Sequence, residues 1–167
     1  SPGPLKDGII KNPPNLPLRN FNLKKNLEKK FKIKVEVEND AKCVALSELY
    51  FGVKKKNFII LTLGTGIGGG IIIDNKLYKG NGYGGELGHI ILDKGQDFES
   101  LAASKKLKYV TRKAFGKDLT ITELMKMNNK KAGEIFKETA LYLGQGIASL
   151  GNIFDPGVAF SFGIVTA

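Results

Sequence analysis

Five glycines set between two apolar runs constrain this chain more than any other feature. Phe58 to Leu63 reads as a continuous apolar strand, Gly-Thr-Gly-Ile-Gly-Gly-Gly (64–70) follows as a turn, and Ile71–Ile73 resumes the apolar run. Missing side chains let backbone N–H groups approach an anion closely, and a run of such amides forms an anion-binding nest. A two-residue hairpin turn needs far fewer glycines. A phosphate is therefore expected at Gly64, Thr65, Gly66, Gly68 and Gly69, with the Thr65 hydroxyl as a further donor. A ligand-free glycine-rich hairpin is the plain alternative. A P-loop would need Gly-Lys-Ser/Thr leading into a helix, and no such sequence occurs. Gly64, Gly66 and Gly69 fit the G-x-G-x-x-G spacing of a dinucleotide site, but a strand follows them and not a helix, so that assignment fails.

Two other clusters carry candidate chemistry. Ile33–Glu38 alternates strictly and predicts a strand, and Ala41 to Phe51 predicts a helix that stops at Gly52. Glu38-Asn39-Asp40 lies between them. A carboxylate there can accept a proton from a substrate hydroxyl with Asn39 beside it, although helix capping also explains the residues. Gly84-Gly-Glu-Leu-Gly-His89 brings Glu86 and His89 near one another, and an acceptor with an imidazole suits sugar hydroxyls. A metal centre would need further ligands. Cys43 is the only cysteine, which excludes an intrachain disulfide and a multi-cysteine zinc cluster, and it is placed in a core or on a helix face.

At 167 residues the chain fits one domain, or one lobe plus part of a second. No apolar run reaches the roughly 20 residues that span a bilayer. Ser1-Pro-Gly-Pro has neither an initiator Met nor a secretory leader, and predicts a cut or processed chain. The net charge of +10 is almost all lysine, since only Arg19 and Arg112 are arginine. Scattered lysines without a stacking series of aromatics predict a solvated surface and no nucleic-acid partner, though the charge attracts anionic substrates such as nucleotides. The proline-rich stretch 1–20 predicts an irregular connector. Asn22 predicts the cap of a helix over Leu23–Phe31. Helices are expected over Leu101–Phe115, over Ile121–Met127 behind a Thr120 cap, and over Ala132–Phe154, with strands at Ile90–Leu92 and Val158–Val165. The pattern is α/β with antiparallel hairpins at its centre.

Together these residues resemble the ROK family (repressor, open reading frame, kinase). Leu63, Gly66, Ile67, Gly68, Gly70, Gly80, Gly85, Gly88 and His89 meet its signature, and SPGP (1–4), PNLP (14–17) and VENDA (37–41) look like family segments. The resemblance implies an actin-like ATPase (ribonuclease H-like) fold: a partial N-terminal small lobe over 1–50 and a C-terminal lobe with the phosphate hairpin over 51–167. It implies a glucokinase-like enzyme, cytoplasmic and homo-oligomeric, that moves the γ-phosphate of ATP to a hexose or amino sugar with Mg²⁺. Asp40 would be the general base, Asn39, Glu86, His89 and Glu99 would hold the sugar with Asn15 at its border, and Gly64–Gly70 with Thr65 would cradle phosphates. Three family features are missing: the N-terminal Asp-x-Gly phosphate hairpin, the zinc-binding cysteine segment, which Asp93–Glu99 replaces, and the glycine run after Asp155-Pro156, of which only Gly163 remains. Zinc and a membrane partner are not expected, and the chain alone is expected to phosphorylate sugar poorly. A non-catalytic, sugar-binding or regulatory module of the same family is the alternative.

Overall fold

Local signals account for most of the helices. In the computed structural model, which describes residues 1, 5–11, 13, 16–53, 55–155 and 159–163, helix α1 spans Leu23–Phe31. Asn22 caps it by accepting the Lys25 N–H at 2.9 Å, and Lys32 in the left-handed conformation (φ 57°) ends it. Helix α2, Asp40–Phe51, starts where Asn39 accepts the Lys42 N–H at 3.1 Å and stops at Gly52.

The chain divides into two compact units. The first comprises Ser1–Ile60 and Gly69–Glu86, the second Leu61–Gly68 and Leu87–Ala167. Within the first, strands β1 (Leu5–Lys6), β2 (Ile9–Ile10) and β3 (Phe21–Asn22) form an antiparallel sheet with Leu5 opposite Ile10 and Ile9 opposite Asn22. The expected irregular connector is thus partly a hairpin. Asp7 and Gly8 both take positive φ, 52° and 76°, as an Asp-Gly turn favours, while Pro13 and Pro17 fall outside the strands. The reverse holds for 33–38, which forms no strand among the described residues. Alternation alone cannot make a ladder, and the Val35 N–H goes to the Glu28 side chain at 3.2 Å.

The central sheet runs in the order β6-β5-β4-β9, with β4 at Phe58–Leu63, β5 at Ile67–Ile73, β6 at Lys76–Leu77 and β9 at Ala159–Gly163. Phe58, Ile59, Ile60 and Leu61 are fully buried. Asp74 and Asn75, both at positive φ, turn β5 into β6, pairing Ile72 with Leu77. The turn after β4 is shorter than expected: Ile67 already belongs to β5, so only Gly64–Gly66 turn, and Gly68–Gly70 lie in the strand. Of the terminal strand expected over Val158–Val165, Val158, Ile164 and Val165 lie outside the described residues.

In the second unit a short 3₁₀ turn (Leu87–His89) leads to β7 (Ile91–Asp93), and Lys94-Gly95 turns it into β8 (Gln96–Asp97). Helices α3 (Phe98–Ala102) and α4 (Ser104–Phe115) replace the single helix expected over 101–115, because Ala103 is extended between them. A capping box between Thr120 and Glu123 starts α5 (Ile121–Lys126), and α6 runs over Lys130–Phe154. Leu107, Leu119, Leu124, Ala132 and Ile135 pack into one core cluster. Phe98 is fully buried, and its ring occupies the place a side chain at Gly146 would need. Among the described residues no helix is long and apolar enough to cross a membrane.

Candidate functional site

The expected site residues fall into two groups, one in each unit. In the first unit, Asn39 is buried because its amide caps α2, and Asp40 opens the helix with an exposed side chain. One Asp40 carboxylate oxygen accepts the Ala41 N–H at 3.0 Å. The Ser1 ammonium donates to the Glu38 carbonyl at 2.9 Å, and the Asp40 N–H donates to the Ser1 carbonyl at 3.2 Å. Asp40 therefore stands on a braced backbone in the first turn of a helix, a favourable place for a carboxylate.

Glu86 ends the glycine-dense loop of the same unit, where its N–H donates to the Tyr83 carbonyl at 3.2 Å. Gly82 (φ 108°) and Gly85 (φ 89°) adopt backbone conformations that side chains disfavour, and Gly85 lies against the backbone of Gly69 and Gly70. Two contacts tie this loop to the residues around α2. Lys79 pairs with Glu38 at 2.5 Å, and the ammonium of Lys42 donates to the Gly82 carbonyl at 3.2 Å. The structure thus brings Asn39, Asp40 and Glu86 onto one framework, which Lys42 fastens from beneath. Lysine on a helix reads as solvent-facing, so nothing in the sequence marked Lys42, which is 1% exposed.

In the second unit Glu99 meets the glycine turn. Its carboxylate accepts the Ile67 N–H at 2.8 Å, across 32 residues of sequence. A side chain at Gly66 would collide with that carboxylate, and one at Gly88 would collide with the Ile67 carbonyl. Gly88 thus has a packing reason independent of any ligand, because backbone blocks it, whereas at Gly66 the flexible Glu99 side chain would have to move. The Gly64 N–H closes the turn onto the Gly66 carbonyl at 2.9 Å, while Gly64 and Thr65 carbonyls receive the Ser104 and Lys105 N–H groups opening α4. Of the expected phosphate set, Gly64, Thr65, Gly66 and Gly68 belong to this unit and Gly69 to the other.

His89 lies on the surface, with Nδ1 3.3 Å from Asp97 Oδ2. Asp97 caps α3 by accepting the Ser100 N–H at 2.8 Å. Burial pushes the Asp97 carboxyl up, but hydrogen bonds from Ser100 and His89 outweigh it and hold the group below the usual carboxylate range. Sequence reasoning passed over Asp97, although an Asp three residues before a serine N–H at a helix start is a recognisable cap signal. Among the described residues no group of three or more His, Cys, Asp or Glu side chains could hold a metal ion. Asn15 lies outside the described residues.

Beside the turn, a groove of 280 Å³ is lined by Thr65, Lys105, Lys108, Tyr109, Arg112 and Asp118. Residues 105, 108, 109 and 112 share one face of α4. Arg112 grips Asp118 through two hydrogen bonds of 2.8 and 2.7 Å, which together with the nearby charge of Lys108 hold the Asp118 carboxyl low, so the groove sets two lysines and an arginine against one carboxylate.

The ROK family model matches residues 1–166, and the chain belongs to the ROK family. The xylose repressor of Bacillus subtilis is 32% identical over 90% of this chain and 43% of its own length. Among solved structures, the ROK hexokinase of Thermus thermophilus superposes with a TM-score of 0.81 at 34% identity, covering 97% of this chain and 60% of that one. A ROK family glucokinase from Streptomyces griseus, in complex with glucose and AMPPNP, gives a TM-score of 0.78 at 29% identity, covering 96% of this chain and 63% of that one. The fold is the mixed α/β, actin-like ATPase fold of these kinases. The chain spans about half the length of the relatives it matches.

Proposed function

We propose that the chain is the sugar-binding and phosphoryl-transfer core of an ATP-dependent, glucokinase-like hexose kinase. The observation that carries this reading is the groove beside Thr65, where lysines of α4 meet the glycine turn. A neutral sugar needs no such cations, whereas the triphosphate of a nucleotide does. Thr65, Gly66 and the groove lysines would hold the donor's phosphates, and Tyr109 offers an aromatic face beside them. Asn39, Glu86, His89 and Glu99 would hold the sugar, whose attacking hydroxyl gives its proton to Asp40. Such transfer rests mainly on positioning and charge stabilisation. Mg²⁺ bound with the nucleotide would supply further charge neutralisation there.

Division into a partial small lobe over 1–50 and a C-terminal lobe over 51–167 belongs to the same proposal, as do a cytoplasmic location, a homo-oligomeric state and the lack of a nucleic-acid partner. The likeness to a protein named xylose repressor favours one second reading, a sugar-binding regulatory module without catalysis. Calorimetric titration with glucose and with AMPPNP separates the two. The kinase reading expects both to bind and Lys105→Glu to weaken AMPPNP alone. Glucose binding with no nucleotide binding would replace it by the regulator. The 167-residue chain alone is expected to phosphorylate sugar poorly, and in a coupled assay Asp40→Asn is expected to lower that residual turnover by about 10²–10⁴-fold, the range for a general base, with glucose affinity retained.

A further inference from the structure

Beyond the kinase reading, and independently of it, we propose that the first unit holds a phosphate-binding site centred on Lys42. A cavity of 310 Å³ opens there among the β1–β2 hairpin (Leu5–Gly8), the 36–38 segment and the loop 79–82. Lys42 lines it while only 1% exposed. An ammonium carries three donors, of which one reaches the Gly82 carbonyl at 3.2 Å. A single carbonyl dipole does not neutralise a buried charge, and an uncompensated one is strongly disfavoured. Among the described residues no carboxylate lies within ion-pair distance of Lys42.

The remaining charges of the cavity narrow the ligand. Glu38 is taken by Lys79 and by the Asn39 N–H at 3.0 Å, and Glu36 by Lys24 at 3.1 Å. These pairs leave Lys42 and Lys6 facing the cavity against Asp7. A cation is repelled by Lys42, and a neutral sugar leaves its charge uncompensated. A carboxylate offers two oxygens, whereas a phosphate offers acceptors enough for both Lys42 and Lys6, which line the cavity with Asn81. Its residues, 5–8, 24, 36–38, 42 and 79–82, include neither Asp40 nor the turn 64–66.

Amide NMR spectra of the 167-residue chain, titrated with sodium phosphate against sodium chloride at equal ionic strength, test the site. Saturable shifts are expected at Lys6–Gly8, Glu36–Glu38 and Gly80–Gly82. Lys42→Met should raise Kd at least about tenfold, the weight of a charge-assisted hydrogen bond, and the exposed Lys6→Glu should raise it severalfold. A parallel titration with glucose 6-phosphate identifies the source: tighter binding than inorganic phosphate marks a phosphate monoester, equal binding the free ion. Shifts no different from those with chloride, or an unchanged Kd in Lys42→Met, would overturn the proposal. Should Lys42→Met lose its dispersed spectrum, an unchanged Kd in Lys6→Glu overturns it instead.

Discussion

The start of α2 and the turn between β4 and β5 both carry candidate site residues, but they are held in opposite ways. At α2 the first turn is closed locally, since Asn39 caps three residues ahead and Asp40 takes the N–H of its neighbour, while Ser1 braces the backbone from farther along the chain. At the turn they are distant. Glu99 fixes Ile67 from 32 residues away, and Gly88 must come close enough to the Ile67 carbonyl that no side chain fits. A local device fails by fraying one helix end, whereas a distant one fails by separating elements.

The largest break in this comparison should come from Gly88→Ala. Backbone cannot yield as a side chain can, so we expect a loss of more than about 3 kcal/mol by urea denaturation, beyond ordinary overpacking. A loss below 1 kcal/mol would mean the contact at Ile67 is not needed. Next comes Glu99→Gln, which weakens a charge-assisted bond to a half-buried amide and should destabilise by about 1–2 kcal/mol. Glucose affinity, read by calorimetry, should fall with it if the kinase reading holds. Asn39→Ala removes a cap and should cost about 1 kcal/mol. If thermal denaturation instead ranks Asn39→Ala above Glu99→Gln, local contacts dominate both regions and the contrast is wrong.

The smallest effect concerns pH at Asp97. Its folded pKa lies below its ordinary value of 3.8, so the stability it contributes is complete at neutral pH and is lost as pH falls through the folded value. Asp97→Asn should therefore reduce stability at pH 7, and the difference should shrink as pH falls through the carboxylate range, as denaturation curves over a pH series would reveal. Because the chain has one histidine, long-range ¹H–¹⁵N spectra can also read whether Asp97→Asn releases the Nδ1–H form of His89. No change in the tautomer would remove Asp97 as the group that orients the ring.

Much of this molecule was legible in its sequence. Helices α1, α2 and α5 begin at Asn22, Asn39 and Thr120, because a cap is a contact between residues two or three positions apart. The glycine signature, too, led to the right family. Other features misled for a physical reason. Residues 33–38 alternate like a strand, yet a strand exists only where a neighbour offers a ladder. Prolines hid the Asp7-Gly8 hairpin, and the helix expected over 101–115 breaks at Ala103, which no helix-breaking residue marks.

What the sequence determined by itself, then, is where the caps of α1, α2 and α5 and the buried strand β4 fall, since those follow from side-chain period and backbone freedom over a few residues. Only the tertiary structure decided that Glu99 closes the turn, that Asp97 meets His89, and that Lys42 is buried beneath the loop at Gly82. Each of these depends on elements far apart in the chain being packed together, and on where a charge ends up relative to water, which local pattern does not encode.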